Sequence, residues 1–360
     1  MHRTRPTILA ALLALHFGCG GSDSHAPPTS PSPPSSPLPS GMEVEPLRTA
    51  AAGAGKLVGT AVPSALLADG RYAGVLARHF NYLTAEYEMK WGAIEATRGQ
   101  NDFSAGDAIV AYGQAHRMLI KGHALLWHNS VPSWVPSLSA VDLRAAVEGH
   151  IRSVAEHFRG RVRAWDVVNE AIADNGAGLR DTVFKQKLGD DYVADAFRIA
   201  RQADPQALLF YNDYDGEGLN PKSDRIYDLV QSLRTQGLID GVGLQMHLAA
   251  SNRPSDASIA ANLGRLANLG LLVNISEMDV RIRDLPGPLP SRLDAQKAVY
   301  HSSVALCVAE PRCDGVTFWG FTDAHSWIDA QFGADDPLLF DEQYGAKPAY
   351  YGVLEALQRR

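Results

Sequence analysis

VRAWDVVNE (residues 162–170) and LVNISEMDV (272–280) share one design, a short apolar and β-branched run that carries a glutamate at or near its C-terminal end. The strand-like part of the first spans 162–168, and six further runs of that length follow the same pattern. They are LVGTAV (57–62), YLTAEY (82–87), LIKGHALLW (119–127), ALLFYNDY (207–214), GVGLQMHL (241–248) and GVTFWGF (315–321). Between them lie stretches with helical periodicity, as at 142–158, 191–203 and 224–236. Eight such units are the number needed for a closed (β/α)8 TIM barrel, an α/β fold. An open doubly wound sheet would also alternate, but it more often carries a Gly-rich phosphate turn after its first strand. Gly59-Thr60-Ala61 offers none.

Barrels of this kind build their sites at the C-terminal ends of the strands, so polar and aromatic residues should gather there. Glu86 and Lys90 follow the second run, His123 and Trp127 lie on the third, and Asn169 and Glu170 close the fourth. Asn212 and Asp213 lie on the fifth, Gln245 and His247 on the sixth, Glu277 and Asp279 on the seventh, and Trp319 on the eighth. Strands four and seven face each other across a barrel mouth. Two carboxyls so placed are what glycoside hydrolysis requires, one to protonate the leaving oxygen and one to attack or support the anomeric carbon. Glu170 is the expected acid/base and Glu277 the expected nucleophile, with Asn169 beside a sugar hydroxyl. Glu277 and Asp279 are two apart and share a strand face. With His247 they can form an Asp-His-Glu chain that keeps Glu277 ionised, while the nearby charge raises the pKa of Glu170. The plainer reading of this trio is a buried polar network that only fixes the barrel. Trp127, Trp319 and Trp327 supply flat faces for sugar rings, and Lys90, His123, Asn212 and Gln245 can address hydroxyls.

The 360 residues are 46% hydrophobic and 20% charged, so beyond the N-terminus neither disorder nor a multi-span membrane protein is indicated. A net charge of -7 argues against a nucleic-acid partner and suits a neutral ligand. Residues 1–19 read as an export signal, with His2, Arg3 and Arg5 preceding the apolar run 8–17. Gly18-Cys19 resembles a lipoprotein cleavage site, although His16 and Phe17 depart from it; Cys19 is then either lipidated, anchoring the protein to a membrane, or lost with a plain signal peptide. The Pro/Ser-rich segment 20–45 reads as an extended tether before a catalytic domain at 46–360. The remaining cysteines, Cys307 and Cys313, either pair after export or stay as buried thiols, and no His or third Cys stands at metal-ligand spacing beside them. No metal or other cofactor is expected, and the expected state is a monomer.

From about residue 57 to 357 the chain resembles the family 10 glycoside hydrolases, mainly endo-β-1,4-xylanases. The motifs are TAEYEMKW (84–91), GHALLWHNSVPSWV (122–135), WDVVNEAIADNG (165–176), GVGLQMHL, ISEMDV, FWGFTDAHSW (318–327) and PLLFDEQYGAKPAYYGV (337–353). The resemblance implies a retaining mechanism through a covalent glycosyl-enzyme, with xylan or xylo-oligosaccharides as the partner. It further implies that Glu86, Lys90, His123, Trp127, Asn169, Gln245, His247, Trp319 and Trp327 line the sugar subsites, and that Cys307 and Cys313 form a short disulfide. Three positions depart from the family pattern: Tyr87 stands where Asn is usual, Ser130 where Gln is common, and Ile328 where a larger or basic residue follows the tryptophan. Tyr87 and Ser130 would fall in the sugar site next to the cleaved residue, so the substrate preference is expected to shift while the chemistry is retained. Two other readings remain, a retaining glycosidase acting on another β-linked or decorated glycan, and a surface glycan-binding lipoprotein that does not cleave. The pair of glutamates argues against the second.

Overall fold

The computed structural model describes residues 45–359; the leader at 1–19, with Cys19, and all but the last residue of the segment 20–45 lie outside them. Among the described residues nine strands form one parallel sheet. They are β1 (Leu57–Val62), β2 (Tyr82–Ala85), β3 (Leu119–Trp127), β4 (Ala164–Asn169), β5 (Leu208–Asp213), β6 (Gly241–Leu244), β7 (His247–Ala249), β8 (Leu272–Arg281) and β9 (Cys313–Phe318). Neighbours pair in order from β1 to β6, β9 lies between β1 and β8, and β6 pairs with β8 from Gly241↔Leu272 onward. That last pairing closes the sheet into an eight-stranded (β/α)8 barrel, with the short β7 carrying on beyond the end of β6.

The expected run at 241–248 is therefore split. Met246 has φ +63°, in the left-handed region that breaks the pleat, and it separates β6 from β7. Residues at 86–87 likewise leave β2, because the Glu86 N–H still reaches Val62 O at 3.1 Å but the chain then turns toward Lys90.

Helices fall where the periodicity places them, and two of the three begin earlier than expected. The one at 142–158 is found as Ala140–His157, because Ser139 caps it by accepting the Asp142 N–H. That at 224–236 is found as Pro221–Thr235, where Asn220 and Ser223 make a reciprocal capping box and Pro221 supplies a fixed helical φ. Tyr192–Ala203 matches its expected span to within one residue.

On the helix-facing side of the sheet, Trp165 on β4 packs against Phe158 and covers Gly122 on β3, where an added Cβ would meet the indole at 2.0 Å. On the opposite, inner face Lys121 and Asp166 form a fully buried ion pair at 2.8 Å. The C-terminal helix Pro348–Gln358 packs on Leu289–Ala309, and a buried Lys347–Asp323 pair at 2.6 Å ties the last loops to the barrel. Cys307, at the end of Leu289–Ala309, is bonded to Cys313 at the start of β9, with an S–S distance of 2.00 Å.

Candidate active site

Glu170 follows β4 directly in the left-handed conformation, with φ +59°. Its N–H donates to Asn212 O at 2.9 Å and its carbonyl accepts Arg180 Nε at 3.2 Å, so the turned backbone is held on both sides. The side chain is buried. Its Oε1 accepts from Gln245 Nε2 at 3.1 Å and Asn169 Nδ2 at 3.2 Å, and its Oε2 accepts from the Trp127 indole at 2.8 Å. Burial, reinforced by the negative charge of Asp213, raises the Glu170 pKa above the usual carboxylate value against the opposing hydrogen bonds from Gln245 and Trp127.

Glu277 on β8 is equally buried but sits among cations. Its Oε1 accepts from Asn212 Nδ2 at 2.6 Å, and His247 Nε2 lies 3.1 Å from its Oε2. His247 Nδ1 lies 2.7 Å from Asp279 Oδ2, which also accepts the Trp327 indole N–H at 2.9 Å. The Asp-His-Glu chain read from the sequence is thus formed, with Trp327 as an added donor. Burial would raise the pKa of Glu277, but the hydrogen bond from His247 and the positive charges of His123, His247 and Lys90 outweigh it and hold it at about 2. Burial would lower that of His247; the adjacent Asp279 and Glu277 raise it instead.

The two carboxyls are joined through amides. Asn212 Nδ2 donates to Asn169 Oδ1 at 2.9 Å as well as to Glu277, while its Oδ1 accepts from Ser276 Oγ at 2.6 Å. Gly243 makes room for this hub, since a Cβ there would lie 2.2 Å from Asn212 Oδ1. Ser276 and Glu277 are adjacent on β8 yet both reach Asn212, because the register shifts between Ile275 and Met278 and undoes simple alternation.

Lys90 is buried, its ammonium 4.5 Å from the Trp127 ring centroid and 5.7 Å from that of Trp319. Its pKa is lowered by burial against the pull of Glu277, Glu86 and Glu170. Glu86 is raised to about 7 by burial, which outweighs Lys90. His123 is oriented by Asp166 at 2.9 Å, with its Nδ1 also 4.0 Å from Glu277 Oε1 and its ring set edge-on to Trp319.

Of the three departing positions, Tyr87 is 45% exposed, with its ring 5.9 Å from Lys90 Nζ. Ser130 is buried; its Oγ packs against Gly92 and has no hydrogen-bond partner among the described residues. Ile328 is fully buried in the short helix Trp327–Phe332. The sequence reading did not find the Trp127 indole at Glu170, the orienting Asp166, the Ser276 contact or Arg180 behind Glu170. Asp166 sits in an apolar run where an acid needs a buried partner, and that was the one available signal.

The sequence model of glycosyl hydrolase family 10 matches residues 46–356. An endo-1,4-beta-xylanase B of Thermotoga neapolitana is 38% identical over 294 residues, which are 81% of this chain and 84% of that protein. An endo-1,4-beta-xylanase of Agaricus bisporus is 39% identical over 316 residues, 86% of this chain and 93% of that one. Among solved structures, xylanase 10B from Thermotoga petrophila RKU-1 in complex with xylobiose superposes with a TM-score of 0.84 at 37% identity, covering 88% of this chain and 98% of that chain. Native xylanase 10B from Thermotoga maritima gives 0.84 at 39% identity, covering 87% and 98%.

Proposed function

The chain belongs to glycosyl hydrolase family 10, and from that premise we propose that it is an exported, retaining endo-β-1,4-xylanase in which Glu170 is the acid/base and Glu277 the nucleophile. The observation that carries the assignment of roles is the opposite electrostatic setting of two equally buried carboxyls. Glu170 is pushed toward its neutral form by burial and Asp213, whereas Glu277 is held ionised by His247, His123 and Lys90.

In the first displacement the Glu277 carboxylate attacks the anomeric carbon, and the C–O bond to the leaving sugar breaks as Glu170 gives that oxygen its proton. In the second, the Glu170 carboxylate takes a proton from water, the water oxygen attacks the anomeric carbon, and Glu277 leaves as carboxylate. Two inversions restore the β configuration. Asn169, Asn212 and Gln245 hold the two carboxyls in register, and Asp279 keeps His247 facing Glu277. Glu86, Lys90, His123, Trp127, Trp319 and Trp327 present the polar and flat surfaces for xylose units. The exposed Tyr87 ring gives an apolar face at the rim, which favours polymeric or decorated xylan over short linear pieces. Export is supported by the leader-like residues 1–19 and by the Cys307–Cys313 disulfide.

Proton NMR of the first turnovers on xylan tests the reading. The β-anomer should appear first and convert slowly to the α-anomer. Early α-anomer would reassign Glu277, and preferential release of reducing ends from β-glucan or mannan would reassign the substrate.

A further inference from the structure

The split between β6 and β7 leaves a buried peptide with an uncommon task. Gln245 and His247 flank Met246, and through them this one residue governs contacts to both glutamates: Gln245 to Glu170 at 3.1 Å, His247 to Glu277 at 3.1 Å. The neighbouring strands hold the flanks of the break, since Gln245 N–H donates to Asp213 O at 3.0 Å and Gln245 O accepts the Glu277 N–H at 3.0 Å. The Met246 N–H, turned aside by the positive φ, donates instead to Glu217 Oε1 at 3.1 Å.

Glu217 belongs to the loop after β5 and is only 4% exposed. Its backbone is fixed from the helix Asp256–Asn268, where buried Asn262 donates to Gly216 O at 2.6 Å and Glu217 O at 3.2 Å. Gly218 packs so closely on Pro254 and Ser258 that a Cβ would lie 2.6 Å from the former, and the Leu219 N–H donates to Ser258 Oγ at 2.8 Å. The carboxyl therefore projects from a rigid loop onto the Met246 N–H, which at the break donates to Glu217 rather than to a strand carbonyl, while Met246 O still accepts the Asp279 N–H of β8 at 3.4 Å.

We propose that Glu217 is a positioning residue for both glutamates, its carboxyl fixing the left-handed Met246 peptide that aims Gln245 at Glu170 and His247 at Glu277. The proposal rests on the roles assigned to Glu170 and Glu277. Burial and the charge of nearby Asp215 raise the Glu217 pKa to about 7, so a neutral acceptor should serve as well as a carboxylate.

Three forms of the full chain decide it: wild type, Glu217→Gln and Glu217→Ala. Active sites are counted by trapping with a 2-deoxy-2-fluoro-xylobioside, and peptide mapping locates the label. Glu217→Gln, which keeps an oxygen acceptor, should retain kcat within about threefold. Glu217→Ala should lose kcat on the order of a hundredfold per trapped site with KM nearly unchanged, as a misplacement of about 1 Å does. Its acid limb should also move to higher pH, because Glu277 faces His247, His123, Lys90 and Asn212, and only the His247 contact is loosened. An alanine variant with wild-type kcat and pH profile would overturn the proposal, as would equal losses in both variants, or a lowered Tm with unchanged kcat per trapped site. Label on a residue other than Glu277 in the wild type would instead overturn the assignment on which it rests.

Discussion

Trp127→Phe should make Glu170, the proposed acid/base, harder to ionise. In the described structure both lone-pair sites of Glu170 that face the amides are taken, since Oε1 accepts from Gln245 and Asn169. The proton is therefore best carried on Oε2, where a single donor, the Trp127 indole at 2.8 Å, favours the charged form. A hydrogen bond to an ionised partner contributes about 1.5 kcal/mol net, and about 1.4 kcal/mol corresponds to one pKa unit. Trp127 is only part-buried, so water replaces some of what phenylalanine removes, and the expected shift is about 0.5 to 1 unit upward. The alkaline limb of kcat/KM reports the free enzyme's acid. Removing a donor to the carboxylate destabilises the ionised form, raises the pKa and moves that limb to higher pH. The acid limb, set by Glu277, should stay in place because Trp127 makes no hydrogen bond to it. Phenylalanine keeps an aromatic face toward Lys90 and toward sugar, so KM should change little. A pH profile on an aryl β-xylobioside, taken in steps of a quarter unit, resolves the shift. An alkaline limb that stays put or moves to lower pH would refute the role given to this indole.

Glu170→Ala should cost about 100- to 10,000-fold on xylan but much less on an aryl xyloside whose leaving group needs no proton, whereas Glu277→Ala should fail on both; equal losses would mean that the roles are misassigned. Tyr87→Asn should improve xylotriose and xylotetraose relative to polymer, read as the ratio of kcat/KM values, and an unchanged ratio removes Tyr87 from substrate selection. Replacing both Cys307 and Cys313 by serine opens a short loop and should cost about 2 kcal/mol, seen as a Tm lower by roughly 4 °C with kcat unchanged. An unaltered Tm would show that the cross-link adds nothing to the folded state.

Much of the site was legible because barrel architecture converts linear order into place. Once eight runs are recognised, Glu170 and Glu277 must stand at opposite sides of one mouth, and the i, i+2 spacing of Glu277 and Asp279 delivers the chain to His247. What stayed hidden lies where the backbone leaves the pleat. Positive φ at Glu170 and Met246, and the bulge around Glu277, redirect side chains in ways that alternation does not anticipate, so Ser276 and Glu277 reach the same amide. Helix starts were read two to three residues late at Ala140 and Pro221, because caps on Ser139 and Asn220 lie outside the apolar periodicity. Glu217 carries no distinguishing signal in the sequence, and its purpose comes from the buried Met246 N–H that it accepts. Trp127 was read as a sugar platform from its ring; its N–H direction is fixed by rotamer and neighbours, which sequence does not encode locally.

The bridge of side chains from Glu170 to Glu277 is built wholly of amides, and this has a bearing on where protons can go. Asn169, Gln245 and Asn212 each present N–H donors that do not ionise at neutral pH, and they reach toward both carboxyls. A hydroxyl or imidazole in the same place could pass a proton along by accepting on one side and releasing on the other. An amide cannot do so at neutral pH, so the bridge fixes distance while insulating one carboxyl from the other. In the proposed mechanism the proton that Glu170 gives to the departing sugar returns with the incoming water, and the amide bridge offers it no path to Glu277.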